Sequence, residues 1–162
     1  MAPFDTATKN TVQVRVEYQG VKSNVVPMSI VKTAPGIFTQ DTTGKGAGQI
    51  YNDTFLLNAA ANPAVKGSVV TIIWSGGGQT DPAGVDGRME TQSLPKPLAA
   101  VSVKIGGQAA ELVYAGAVPY SWAGLMQAQV KVPAATASGN AIPVVISAGG
   151  ATSPDGVTIA VK

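Results

Sequence analysis

Cysteine and histidine are both absent from the 162-residue chain. Without them there is no Ser-His or Cys-His nucleophile pair, no thiolate or imidazole zinc site and no disulfide. Most hydrolase arrangements are thereby excluded, which leaves a carboxylate pair, an oxygen-only cation site or a binding face. Charge is scarce too: Asp, Glu, Lys and Arg make up 12% of the chain, about half the usual share, with a net charge of +2. The basic residues are scattered singly and form no cluster to track a phosphate backbone, so nucleic acid is not an expected partner. No apolar run approaches the roughly 20 residues that span a bilayer, and membrane insertion is not expected. Met1 leads into Ala2-Pro3 rather than a basic and then apolar leader, so the chain reads as an excised piece with any export signal upstream.

What is present points to β structure. Hydrophobic residues make up 45% of the chain, enough for a core, while 19 Gly and 11 Pro argue against long helices. Residues 11–18 alternate strictly, with Val12, Val14, Val16 and Tyr18 on one side and Gln13, Arg15 and Glu17 on the other. Further strands are predicted at 25–31, 68–74, 101–105, 111–114, 128–132, 142–147 and 157–161. Gly106-Gly107 and Gly149-Gly150 suit tight hairpin turns, and Pro154-Asp155-Gly156 marks a turn before the last strand. Short strands at this spacing predict an all-β sandwich or barrel. Residues 56–64 and 108–112 have the propensity for a helical turn each. Residues 41–48 and 75–87 read as loops, the second long enough to carry binding.

An internal repeat is the most informative pattern. At a constant offset of 116, residues 3–30 lie over 119–146, matching Pro3 with Pro119, Gln13 with Gln129, Val14 with Val130, Val16 with Val132, Asn24 with Asn140, Pro27 with Pro143 and Ile30 with Ile146. This predicts two copies of one module. Residues 1–33 would be the closing strand pair of a truncated upstream β-sandwich repeat, and 34–162 the complete domain, with Gln13 and Gln129 in like surroundings. A hairpin alone is marginal in water. Packing of residues 11–31 on the complete copy is the favoured outcome, with pairing to another chain as the alternative.

Several motifs together carry a resemblance. Ala34-Pro35-Gly36-Ile37-Phe38-Thr39, Gln79-Thr80-Asp81-Pro82, Leu94-Pro95-Lys96-Pro97, Ile105-Gly106-Gly107, Tyr114-Ala115-Gly116 and Val132-Pro133 occur in an order that resembles a family of C-terminal domains ending large secreted proteins of Acidobacteria such as Solibacter. The resemblance covers residue 34 to the C-terminus. It implies an immunoglobulin-like or TIG-like β-sandwich, extracellular or on the cell surface, attached behind other domains. It carries over no catalytic residues. Trp122 departs from the pattern, standing where a smaller residue is usual.

Candidate sites are few. Asp81, Asp86 and Glu90 fall within ten residues of a Gly-rich loop, and oxygen ligands at such spacing can hold calcium, though not in EF-hand order. The same acids could serve as a glycosidase pair, but nothing selects two of them. Gly44-Lys45-Gly46-Ala47-Gly48 lacks the hydroxyl residue and helix of a phosphate loop, Asp41-Thr42-Thr43-Gly44 carries one Thr too many for an aspartic protease triplet, and Asn52-Asp53-Thr54 fits the glycosylation sequon. Trp74 ends an apolar strand and is expected to plug the core. Tyr120 and Trp122, if exposed together, could stack on a sugar or seat a neighbouring domain; the usual burial of large aromatics favours a structural role. The expectation is a non-catalytic structural or adhesion module with no cofactor. Its expected partners are neighbouring domains of the parent protein, with carbohydrate or another copy of the chain as alternatives.

Overall fold

The computed structural model describes residues 3–92 and 94–162. Met1 and Ala2, on which the reading of the chain's opening rests, lie outside the described residues. The protein is all-β, its main sheet running in the order Gly36–Ile37, Val69–Ser75, Met126–Lys131, Gln108–Ala117, Val101–Ile105, Gly139–Ala148, Val157–Val161 and Gly46–Ala47. All these pairings are antiparallel except the last, where Gly46–Ala47 joins Val157–Val161 in parallel.

The sheet curls into a half-barrel, as a β-sandwich does, because two ten-residue strands each serve two partners. Gln108–Ala110 pair with Val103–Ile105, and beyond a bulge between Leu112 and Tyr114 the same strand continues along Met126–Lys131. Val144–Ala148 pair with Val101–Ile105, and the earlier half of that strand pairs with Val157–Val161. Strands that pass from one layer to the other in this way turn the corners of a sandwich.

Alternation places the core inside the curl. Val70, Ile72 and Trp74 from one strand meet Ala128 and Val130 from its neighbour and Val103, Ile105, Val144, Ile146, Val157 and Ile159 from across the layer. Each large aliphatic side chain buried this way stabilises the fold by about 1.5–3 kcal/mol. Trp74 is fully buried, as expected, with the ring capped by Gly77, where any Cβ would sit 2.9 Å from the ring edge.

The expected helical turns are absent. Residues 108–112 continue a strand, because Ala109 and Ala110 are already fixed as ladder partners of Lys104 and Val103. Residues 56–64 are irregular, pinned by a buried polar network. Asn58 Nδ2 donates to the Ala160 carbonyl (2.9 Å) and to Asn52 Oδ1 (3.1 Å), while Asn58 Oδ1 accepts from the Ala160 N–H (2.8 Å). An Asn side chain thus replaces a strand partner for the last strand, and helical backbone there would forfeit it.

The N-terminal segment departs most from expectation. Residues 11–18 break into Thr11–Val14 and Glu17–Tyr18, and the segment folds as a projecting arm. Thr11–Val14 pairs with Val26–Ser29, and Glu17–Tyr18 with Val21–Lys22 at the tip. Instead of packing on the sandwich, the arm is exposed along almost its whole length, and among the described residues its strands pair only with each other. Gln13 faces Pro27 across the arm, whereas Gln129 pairs with Thr71 and Tyr114 and has no contact in register with Pro143, which faces Thr158. The matched glutamines therefore lie in unlike surroundings: the sequence correspondence does not extend to strand pairing.

Candidate contact site

One end of the sandwich gathers the residues singled out from the sequence. Phe4–Thr6 forms a single 3-10 turn laid on the 79–87 loop. The Phe4 N–H donates to both carboxylate oxygens of Asp86 (2.9 and 3.1 Å), and Gln79 Nε2 donates to the Phe4 carbonyl (3.1 Å). The Phe4 ring lies flat against Gly84, leaving no room for a side chain there. The other root of the arm is tied down where Thr33 Oγ1 donates to the Ala148 carbonyl (2.8 Å) and the Ala34 N–H to that of Gly76 (2.9 Å).

This arrangement separates the three acids. Asp86 is engaged by Phe4; Asp81 sits in a short ladder opposite Lys96; Glu90 turns into the interior, its side chain 3% exposed, where Arg88 Nη2 reaches it at 3.2 Å. Among the described residues no group of three or more His, Cys, Asp or Glu is close enough to hold a metal ion. The candidate calcium ligands Asp81, Asp86 and Glu90 thus stand in different surroundings: Asp86 accepts from the Phe4 N–H, Glu90 is paired with Arg88, and Asp81 lies opposite Lys96 in a ladder.

The other sequence motifs resolve into structure. Asp41 caps its own turn, with Oδ1 accepting from the Thr43 N–H (3.1 Å) and hydroxyl (2.9 Å), and these bonds hold its carboxyl below the usual carboxylate range. Gly46–Ala47 within the Gly-Lys-Gly-Ala-Gly stretch is an edge strand. Asn52 of the sequon is buried with its amide donating to the Asn62 carbonyl (2.9 Å).

Tyr120 and Trp122 are both exposed, at 76% and 62%, against the expectation that large aromatics would be covered. Their loop is firmly held. The Tyr120 N–H donates to the Glu90 carbonyl (2.7 Å) and the Ala123 N–H to that of Arg88 (2.8 Å), in a ladder pairing Met89 with Trp122 and Glu90 with Ser121. Met89 is Trp122's cross-strand neighbour and is exposed as well. Tyr120 is left-handed, with φ of 55°, a conformation that costs a non-glycine residue about 1 kcal/mol. A buried carboxylate, a two-residue ladder and a strained tyrosine thus hold two aromatic rings and a thioether in solvent. At the offset of 116, Tyr120 corresponds to Phe4: the first is open, and the second is clasped by a loop. The sequence pointed to this site through the Pro-aromatic pattern and the departure at Trp122; the exposure was not legible.

Shallow grooves also mark the surface. One, of about 370 Å³, lies at the arm's tip beside Val16, Tyr18 and Val21, and another, of about 260 Å³, lies beside Lys96, Leu112, Val113 and Tyr114. The Tyr114 hydroxyl is buried without a hydrogen-bond partner, and its desolvation raises its pKa above the ordinary phenol value. Compared with protein families, curated proteins and solved structures, the chain matches none.

Proposed function

We propose that the chain is a non-catalytic structural or adhesion module of a larger secreted bacterial protein, immunoglobulin-like as its motifs resemble, which contacts neighbouring domains through aromatic and apolar surface. The observation that carries this reading is the pair of matched aromatics. Phe4 is already seated in the 79–87 loop by its backbone and ring, while Tyr120, beside Trp122 and Met89, is held out in solvent by a rigid loop. An exposed, preorganised aromatic patch is what a docking face offers, since little ordering entropy is lost on contact. The engagement of Asp86 by Phe4 and of Glu90 by Arg88 supports the non-catalytic part.

A second reading, a carbohydrate-binding module, is favoured by the same exposure of Tyr120 and Trp122, because paired rings on a rigid loop suit stacking against a sugar. Both readings are tested by titrating the full chain with neutral and acidic oligosaccharides to millimolar concentration while following Trp fluorescence and release of reducing ends. The structural reading expects neither binding nor release. Binding that Trp122→Ala abolishes replaces it with the carbohydrate reading, and sustained release of reducing ends overturns both.

A further inference from the structure

The apolar face of the N-terminal arm has a counterpart in the sandwich core, position by position. At the offset of 116, Val12, Val14 and Val16 fall on Ala128, Val130 and Val132, and Met28 and Ile30 fall on Val144 and Ile146. All five counterparts are at most 1% exposed. In the arm, Val14 is 40% exposed, Val16 65% and Met28 53%. The register Val12↔Met28 and Val14↔Val26 puts these four residues on one side of the ladder, with Thr11, Gln13, Pro27 and Ser29 on the other. The arm thus carries a core face with no core against it.

Its edges are equally unfilled. Met126–Lys131 has a partner strand on each side, and so does Gly139–Ala148. Thr11–Val14 and Val26–Ser29 have only each other among the described residues. Eight large apolar residues between positions 11 and 31 are exposed. Exposed apolar residues gathered on one short arm are the kind of patch that marks an interaction surface.

We infer that residues 11–31 are a strand-complementation surface. They supply the two closing strands of a second β-sandwich whose remaining strands come from a polypeptide of the same blueprint as residues 34–118. The correspondence at the offset of 116 points to the occupant, because the strands that flank the matching positions 128–131 and 144–146 include Val69–Ser75 and Val101–Ile105 of residues 34–118. A second copy of this chain fits less well, since those slots are filled by its own Met126–Lys131 and Gly139–Ala148. Gln129 and Pro143 are not ladder partners, so completion requires the Gln13–Pro27 ladder to open and its strands to enter different parts of the sandwich. The inference stands apart from sugar binding, which is read at Trp122 and not at Val14.

The test compares amide hydrogen exchange in the full chain with exchange in a chain carrying a second copy of residues 34–118 ahead of Met1. Exchange over residues 12–16 and 28–30 is expected to slow at least about 100-fold in the longer chain, and Val14→Asp to reverse that slowing while residues 34–162 keep their protection. Unchanged exchange over residues 11–31 overturns the inference. So does a full chain that light scattering shows to be a dimer, with the arm already protected and the dimer dissolved by Val14→Asp, because the face would then belong to a second copy.

Discussion

Residues 12–16 and 128–132 carry nearly the same pattern, Val-Gln-Val-Arg-Val against Ala-Gln-Val-Lys-Val, yet the first run is an exposed arm and the second the centre of a sheet. Both present alternate apolar side chains, so alternation decides which residues share a face. It does not decide what covers that face. The second run lies between Val69–Ser75 and Gln108–Ala117 and is closed over by Val144, Ile146 and Ile159, whereas the first finds only Val26–Ser29. Burial is therefore a property of the strands available nearby, and the difference between the two regions is a difference in partners.

The largest expected effect comes from putting the same charge at matched positions. Val130→Asp buries a carboxylate among aliphatic neighbours and should cost about 4 kcal/mol or more, a large share of a domain's ordinary stability, while Val14→Asp in the same chain should change stability by less than about 0.5 kcal/mol. Urea denaturation of both variants measures this, and equal losses would break the comparison.

Polar anchors sharpen it next. Asn58→Ala strands the buried Ala160 N–H and takes the donor from Asn52 Oδ1, while the Ala160 carbonyl keeps the Ala64 N–H, so the change should cost about 1–3 kcal/mol. Ser23→Ala removes the hydroxyl that accepts from the Val16 N–H on the exposed arm, where water substitutes, and should cost under about 0.5 kcal/mol. Thermal melts of the two variants give the ratio.

Smaller effects are expected at the aromatics. Phe4→Ala removes the ring laid on Gly84 but keeps the backbone bonds to Asp86 and Gln79, so it should loosen the root of the arm and modestly speed proteolysis between residues 7 and 31 while the melting of the sandwich hardly moves. Tyr120→Gly should raise stability by roughly 0.5–1 kcal/mol, because glycine accepts the left-handed backbone without penalty.

The smallest is a pH effect confined to the sandwich. Tyr114 keeps its proton longer when folded than when unfolded, so its contribution is fully present below pH ~10 and is lost as pH rises through the raised folded value. Tyr114→Phe should abolish that part of the alkaline loss and, by removing an unpartnered hydroxyl, leave stability at pH 7 equal or higher, as pH-dependent denaturation would show.

The same contrast explains what could be read from the chain. Strands at 101–105 and 157–161 were legible to the residue, because Val103, Ile105, Val157 and Ile159 alternate and Gly106-Gly107 supplies the two positive φ angles of a tight turn. The Gln108–Ala117 strand was obscured by Ala-rich composition, and residues 56–64 by an Asn58 contact 102 residues away. Local propensity carries no record of such long-range partners. For the same reason the engagement of Asp86 by Phe4 and of Glu90 by Arg88 could not be read from the sequence, and Tyr120 and Trp122 were expected to be covered when a ladder to Met89–Glu90 holds them outward.

The most direct measurement is native-state hydrogen exchange of the full monomeric chain, with the amides of residues 12–16 set against those of 128–132. Protection in the second run should approach that of global unfolding and exceed the first by at least about 1,000-fold. Equal protection in the two runs would contradict the account, since it would mean that the arm already has a cover.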